Sequence, residues 1–128
     1  MLFRVAADAV MVLHLAFIAF ALVGAALTVR WPWIPLVHLP AASWGIFVEL
    51  SGRICPLTYL ENHLRVEAGQ SGYAESFIEH YLLDIIYPAG LGADLQMLLA
   101  AVVATTNAAI YAWLFHRRRR RRRARRPA

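Results

Sequence analysis

Charge is scarce in this chain. Asp, Glu, Lys and Arg make up only 16% of its 128 residues, and every cationic side chain is an arginine. Residues 1–116 hold four of these, Arg4, Arg30, Arg53 and Arg65, against all eight acids, so that part carries a net −4. Nine arginines in the last twelve residues bring the total to +5. The pI of about 10.1 therefore describes a tail. It does not describe a basic nucleic-acid-binding domain, and no aromatic residue is interleaved among the tail arginines for base stacking, so nucleic acid is not an expected partner. Cysteine is almost absent. With Cys55 alone, no intrachain disulfide can form. HExxH and CxxC spacings are missing, and no internal repeat is present.

Apolar residues fill the space that charge leaves. The chain is 60% hydrophobic with a mean hydropathy of +0.52, above the roughly 45–50% apolar content of soluble domains. "VAADAVMVLHLAFIAFALVGAALTV" (5–29) has the length of a spanning helix and exceeds the h-region of a signal peptide. It ends at "RWPW", an interfacial belt with Pro32 as a helix stop. Residues 33–51 and 93–115 read as two further spans. Between them, 57–68 reads as an amphipathic interfacial helix: Thr58 and Glu61 have capping-box spacing, Leu57, Leu60 and Leu64 share a face, and Glu61 and Arg65 form an i,i+4 pair on its wet side.

The stretch "ESFIEHYLLDIIYPAG" (75–90) is apolar yet carries Glu79, His80 and Asp84. If 76–91 crosses the bilayer, twelve arginines lie inside against Arg30 outside; if it does not, the split is ten against three. Burying two acids opposes crossing, but both sit near the start of the segment, where snorkelling reduces the penalty. The expectation is an all-α integral membrane bundle, three spans plus a shorter fourth at 76–91, both ends cytoplasmic, followed by a disordered arginine tail over 117–128.

Antiparallel neighbours place Asp8, Glu49, Glu79 and His80 toward one side of the bilayer. At 100° per residue, Ala7, His14, Ala21 and Ala25 form one small-residue stripe and His38, Ala42, Gly45 and Glu49 another, which should face the bundle interior. Ionisable groups in lipid need partners or water, so Glu79–Arg53 and Glu49–His80 are candidate pairs. The polar cluster Glu49, Glu79, His80, His14 and Asp8 could relay protons, line a pocket for a small ligand, quinone or haem, or simply fix helix register. His80, Glu79 and Glu49 could hold a divalent metal such as zinc or iron. His38 reads as a packing residue. Cys55, before Pro56 at a helix start, could be a reactive thiol or a buried inert one. The tail residues Arg117, Arg118, Arg119, Arg120, Arg121, Arg122, Arg123, Arg125 and Arg126 set topology and attract anionic lipid headgroups.

With "RWPWIPLVHLPAASWG", "ELSGRICPLTYLEN" and "GYAESFIEHYLLDIIYPAGL" in view, the chain resembles a bacterial membrane-protein family, the domain of unknown function 2784 family. The resemblance covers roughly residues 5–115. It implies a small inner-membrane protein of three or four spans in which His14, His38, Glu49, Cys55, Glu61, Glu79 and His80 belong to the family pattern; Asp84 does not fall within it. It implies no activity. The function expected is an accessory membrane protein binding a proton or small ligand. The alternatives are a metal-, haem- or quinone-dependent redox subunit or enzyme, and a scaffold that binds a membrane-protein partner or a second copy of itself.

Overall fold

The computed structural model describes residues 1–74, 77–78, 80–81 and 92–124. Among these residues the architecture is wholly helical: α1 (Leu2–Val23) tightening into a 3₁₀ segment (Gly24–Val29), α2 (Pro35–Ser51), α3 (Pro56–Glu67) and α4 (Ala93–Ala124). The break in α1 falls at Gly24, where a Cβ would lie 2.6 Å from Phe20 Cδ2 and 2.7 Å from His38 Cδ2. Only glycine lets the two helices approach this closely. Pro35 starts α2, and Gly52, in the left-handed region at φ 61°, ends it.

Chain direction follows from a few contacts. Asn107 Nδ2 donates to the Ala21 carbonyl at 2.7 Å, and His38 Nδ1 lies 2.8 Å from the Tyr111 hydroxyl. Gly52 faces the side chain of Gln96, while Leu114 and Arg117 line a cleft with Thr28. Position thus rises along α1 and α4 together and falls along α2. The helix α4 runs parallel to α1 and antiparallel to α2. One end of the bundle, which we term the acidic end, gathers the start of α1, the end of α2, α3 and the start of α4. Every acid among the described residues lies there: Asp8, Glu49, Glu61, Glu67 and Asp94. The opposite end carries Arg30 and the arginines of α4.

Where three secure spans and a shorter fourth were expected, the described residues offer two candidate spans; the expected fourth at 76–91 lies, apart from Phe77, Ile78, His80 and Tyr81, outside the described residues. The described chain leaves α2 and enters α4 at the same end of the bundle. Two helices, Leu2–Val29 and Ala93–Ala124, are long and apolar enough to cross a membrane. The 17-residue α2 measures about 26 Å, slightly short of the roughly 30 Å hydrocarbon core.

Of the expected packing stripes, Ala7, His14, Ala21, Ala25, His38 and Ala42 are buried, while Gly45 and Glu49 are half-buried. On α4 the buried line is Ala100, Asn107 and Leu114, and Ala104 faces outward. Large apolar side chains such as Val12, Leu13, Leu36 and Met97 point away from the bundle, a surface suited to lipid. The helix α3 corrects a second expectation: its polar residues Thr58 and Glu61 are buried and Leu60 is exposed. Its N-cap is Cys55, with Pro56 in the first turn, so the Thr58–Glu61 capping box does not form. A third difference lies in the tail, which continues α4 as helix through Ala124, with residues 125–128 outside the described residues. Arginine is a good helix former, and Arg117 over Trp113 at 5.1 Å and Arg119 over Phe115 at 4.7 Å add cation–π contacts one turn apart.

Candidate functional site

Two polar constellations occupy the acidic half of the bundle. The first centres on Glu61, which is fully buried. Its Oε1 accepts hydrogen bonds from Arg65 Nε at 2.9 Å and from the Tyr81 hydroxyl at 2.7 Å; its Oε2 accepts from the Tyr73 hydroxyl at 2.8 Å. Arg65 Nη2 also donates to the Tyr81 oxygen at 2.9 Å and lies 3.7 Å from Asp8 Oδ1, tying α3 to α1. Asn62 fixes Tyr73 by a reciprocal pair: Nδ2 donates to the Tyr73 carbonyl at 2.6 Å, and the Tyr73 amide donates to Oδ1 at 2.9 Å. Burial, reinforced by the hydrogen bond to the Glu61 carboxylate, pushes the Tyr73 phenol far above its ordinary range. A buried carboxylate with this many donors is compensated, whereas a lone one would not be.

The second is a cavity of about 50 Å³. Its walls carry His14 from α1, Glu49 from α2, Cys55 at the cap of α3, and Phe77. The His14 side chain is nearly closed off, with 3% of the residue exposed, and its ring lies 4.2 Å from that of Phe77. Its Nδ1 is buried without a hydrogen-bond partner. An orphaned imidazole nitrogen costs about 1–3 kcal/mol, which a water in the adjacent space would recover. The cavity is large enough for one or a few waters, each needing roughly 10–15 Å³ on this measure. An imidazole, a carboxylate and a thiol from three separate elements thus share one water-sized space.

The residues singled out in sequence divide between these constellations. His14, Glu49 and Cys55 meet at the cavity; Asp8 and Glu61 meet at Arg65. His80 is stacked on Tyr73, ring centroids 3.9 Å apart and nearly parallel, and does not line the cavity. Glu79 and Asp84 lie outside the described residues, so the Glu79–Arg53 pair and the metal set of His80, Glu79 and Glu49 do so in part as well. Arg53 rests over the Phe47 ring at 5.9 Å. Among the described residues no group of three or more His, Cys, Asp and Glu is gathered as a metal site. Haem and quinones need pockets of about 300–1,000 Å³, and the cavity does not offer that room. The pairing of Glu61 with Arg65 is present, but on the buried side of α3. Asn62 acts from α3, and Tyr73 and Tyr81 from the chain beyond it; none of the three had a signal in spacing. His38 is fully buried, with Nδ1 2.8 Å from the Tyr111 hydroxyl and Nε2 buried without a hydrogen-bond partner.

A sequence-family model described as Protein of Unknown function (DUF2784) matches residues 4–112, which takes in both constellations and ends before the arginine run. The chain belongs to this family. No curated protein and no solved structure matches it. Both the cavity trio His14, Glu49 and Cys55 and the Glu61 network fall inside the family region.

Proposed function

We propose that this is an accessory inner-membrane protein that binds a proton, with one or two waters, in the cavity formed by His14, Glu49 and Cys55. The observation that carries the proposal is the buried, partnerless Nδ1 of His14 on the wall of a water-sized space shared with a carboxylate. Imidazole and carboxylate bridged by water hold one proton between them, which removes the penalty of keeping either charge alone in a dry interior. The Glu61–Arg65–Tyr73–Tyr81 network pins the stretch that carries Phe77 over this space.

In this reading the bundle crosses the membrane three times. The arginine end faces the cytoplasm and the acidic end, with the cavity nearer to it, faces outward. Ten arginines then lie inside and Arg4, Arg53 and Arg65 outside, which satisfies the positive-inside rule. A metal-, haem- or quinone-dependent enzyme is the rival class, and the small volume of the cavity speaks against the two larger cofactors.

The test is proton uptake by the full chain in nanodiscs, followed with a pH-indicator dye across a stepwise acidification. Wild type should take up one proton more per molecule than His14→Phe or Glu49→Gln. Equal uptake by all three proteins would remove the reading.

A further inference from the structure

The arginine end holds a second, independent feature. The buried line of α4, Ala100, Asn107 and Leu114, continues at the same seven-residue spacing into Arg121. The face that packs on α1 inside the bundle therefore becomes arginine-lined where the bundle ends. There Arg117, Arg118 and Arg121, at i+3, i+4 and i+7 from Leu114, close a cleft of about 70 Å³ with Leu114 and, from the 3₁₀ segment, Thr28 and Val29. Arg118 and Arg121 also border the adjoining concavity against Pro32. Thr28 is almost completely buried, and its Oγ1 has no hydrogen-bond partner. No carboxylate from the described residues reaches these guanidinium groups, since the described ion pairs are all at Arg65. Exposed Trp31, Trp33 and Trp113 flank this end, the side chains expected at headgroup depth.

We infer that this cleft is a binding site for the phosphate of an anionic phospholipid, with Arg118 and Arg121 as the phosphate ligands, Arg117 as the inner wall and Thr28 as a hydroxyl donor. Guanidinium groups bind phosphate through paired N–H donors, and two elements enclose the site. The larger concavity that Arg117 and Arg121 also border, together with Trp113, Arg119, Arg120 and Arg123, is bounded by α4 alone and has no second wall. A helical Arg117–Arg123 segment holds the three arginines in register, which a disordered tail would not do. The inference rests on the membrane reading but not on the proton cavity.

Native mass spectrometry of the full chain released from nanodiscs tests it. The discs contain phosphatidylcholine with a minor fraction of phosphatidylglycerol, and three proteins are compared: wild type, Arg118→Gln/Arg121→Gln, and the charge-matched Arg120→Gln/Arg123→Gln. Wild type should retain phosphatidylglycerol over phosphatidylcholine. The 118/121 pair should weaken retention about thirty-fold, from roughly a fivefold effect per arginine, while the 120/123 pair should weaken it only a fewfold. Equal losses in both pairs would mean diffuse charge attraction and would overturn the site. Inorganic phosphate that binds the detergent-solubilised protein and displaces phosphatidylglycerol at equal concentration would overturn the lipid assignment. Recovery of the expressed chain in the soluble fraction would overturn the membrane reading and this inference together, and would leave the proton measurement to be judged by itself.

Discussion

Glu61 is the residue on which the acidic end of the bundle turns, because removing one partner of a buried ion pair leaves the other charge uncompensated. Glu61→Leu should destabilise the protein by about 3–5 kcal/mol, read as a lowered Tm in detergent, whereas Glu67→Gln on the exposed side of the same helix should change it by less than about 0.5 kcal/mol. Gly24→Ala pushes a methyl into Phe20 and His38 and should cost about 1–3 kcal/mol by overpacking. Tyr73 adds a pH dependence whose sign is fixed. Its phenol holds its proton harder in the folded protein than in the unfolded chain, so its contribution is complete below the unfolded value of about 10 and is lost as pH rises beyond it. Stability should fall above that pH in wild type and fall less steeply in Tyr73→Phe, as followed by alkaline unfolding curves.

At the scale of elements, α1, α2 and the apolar part of α4 were legible in the sequence because apolar length and small-residue spacing are local signals. Ala7, His14, Ala21 and Ala25 needed nothing beyond helical geometry. The orientation of α3 was not legible. The usual rule that leucines face in and charges face out assumes water outside, and here the polar face packs on α1 while Tyr59, Leu60 and Val66 face away. Tyr73 and Tyr81 reach Glu61 across 12 and 20 residues, a tertiary contact that no periodicity encodes. The direction of α4 was hidden too, since nine arginines satisfy charge bias in either topology. It yields a direct prediction: a reporter fused after residue 70 should give a periplasmic signal, matching the acidic end, and a cytoplasmic signal there would restore the even number of crossings.

For the whole molecule, the charge distribution, the apolar surface and the enclosed polar groups make one arrangement. Among the described residues the acids gather at one end with the cavity nearby, Arg30 and the arginines of α4 lie at the other, and the exposed sides between are left to Val, Leu and Trp. Helical spacing turned His14 and His38 inward, as they lie in the structure, but it set Glu61 on the wet side of α3 and counted the exposed Asp8 among the inward groups. It did not show that the polar groups would separate into a satisfied structural network around Glu61 and an unsatisfied space around His14, because that separation depends on where Phe77, Tyr73 and Tyr81 fall. The most direct test of the proton-binding account is infrared difference spectroscopy between acid and alkaline pH on the membrane-reconstituted protein. The account predicts a protonated-carboxyl band that vanishes in Glu49→Gln and changes frequency in His14→Gln. A spectrum that is the same in wild type and in both variants would contradict it.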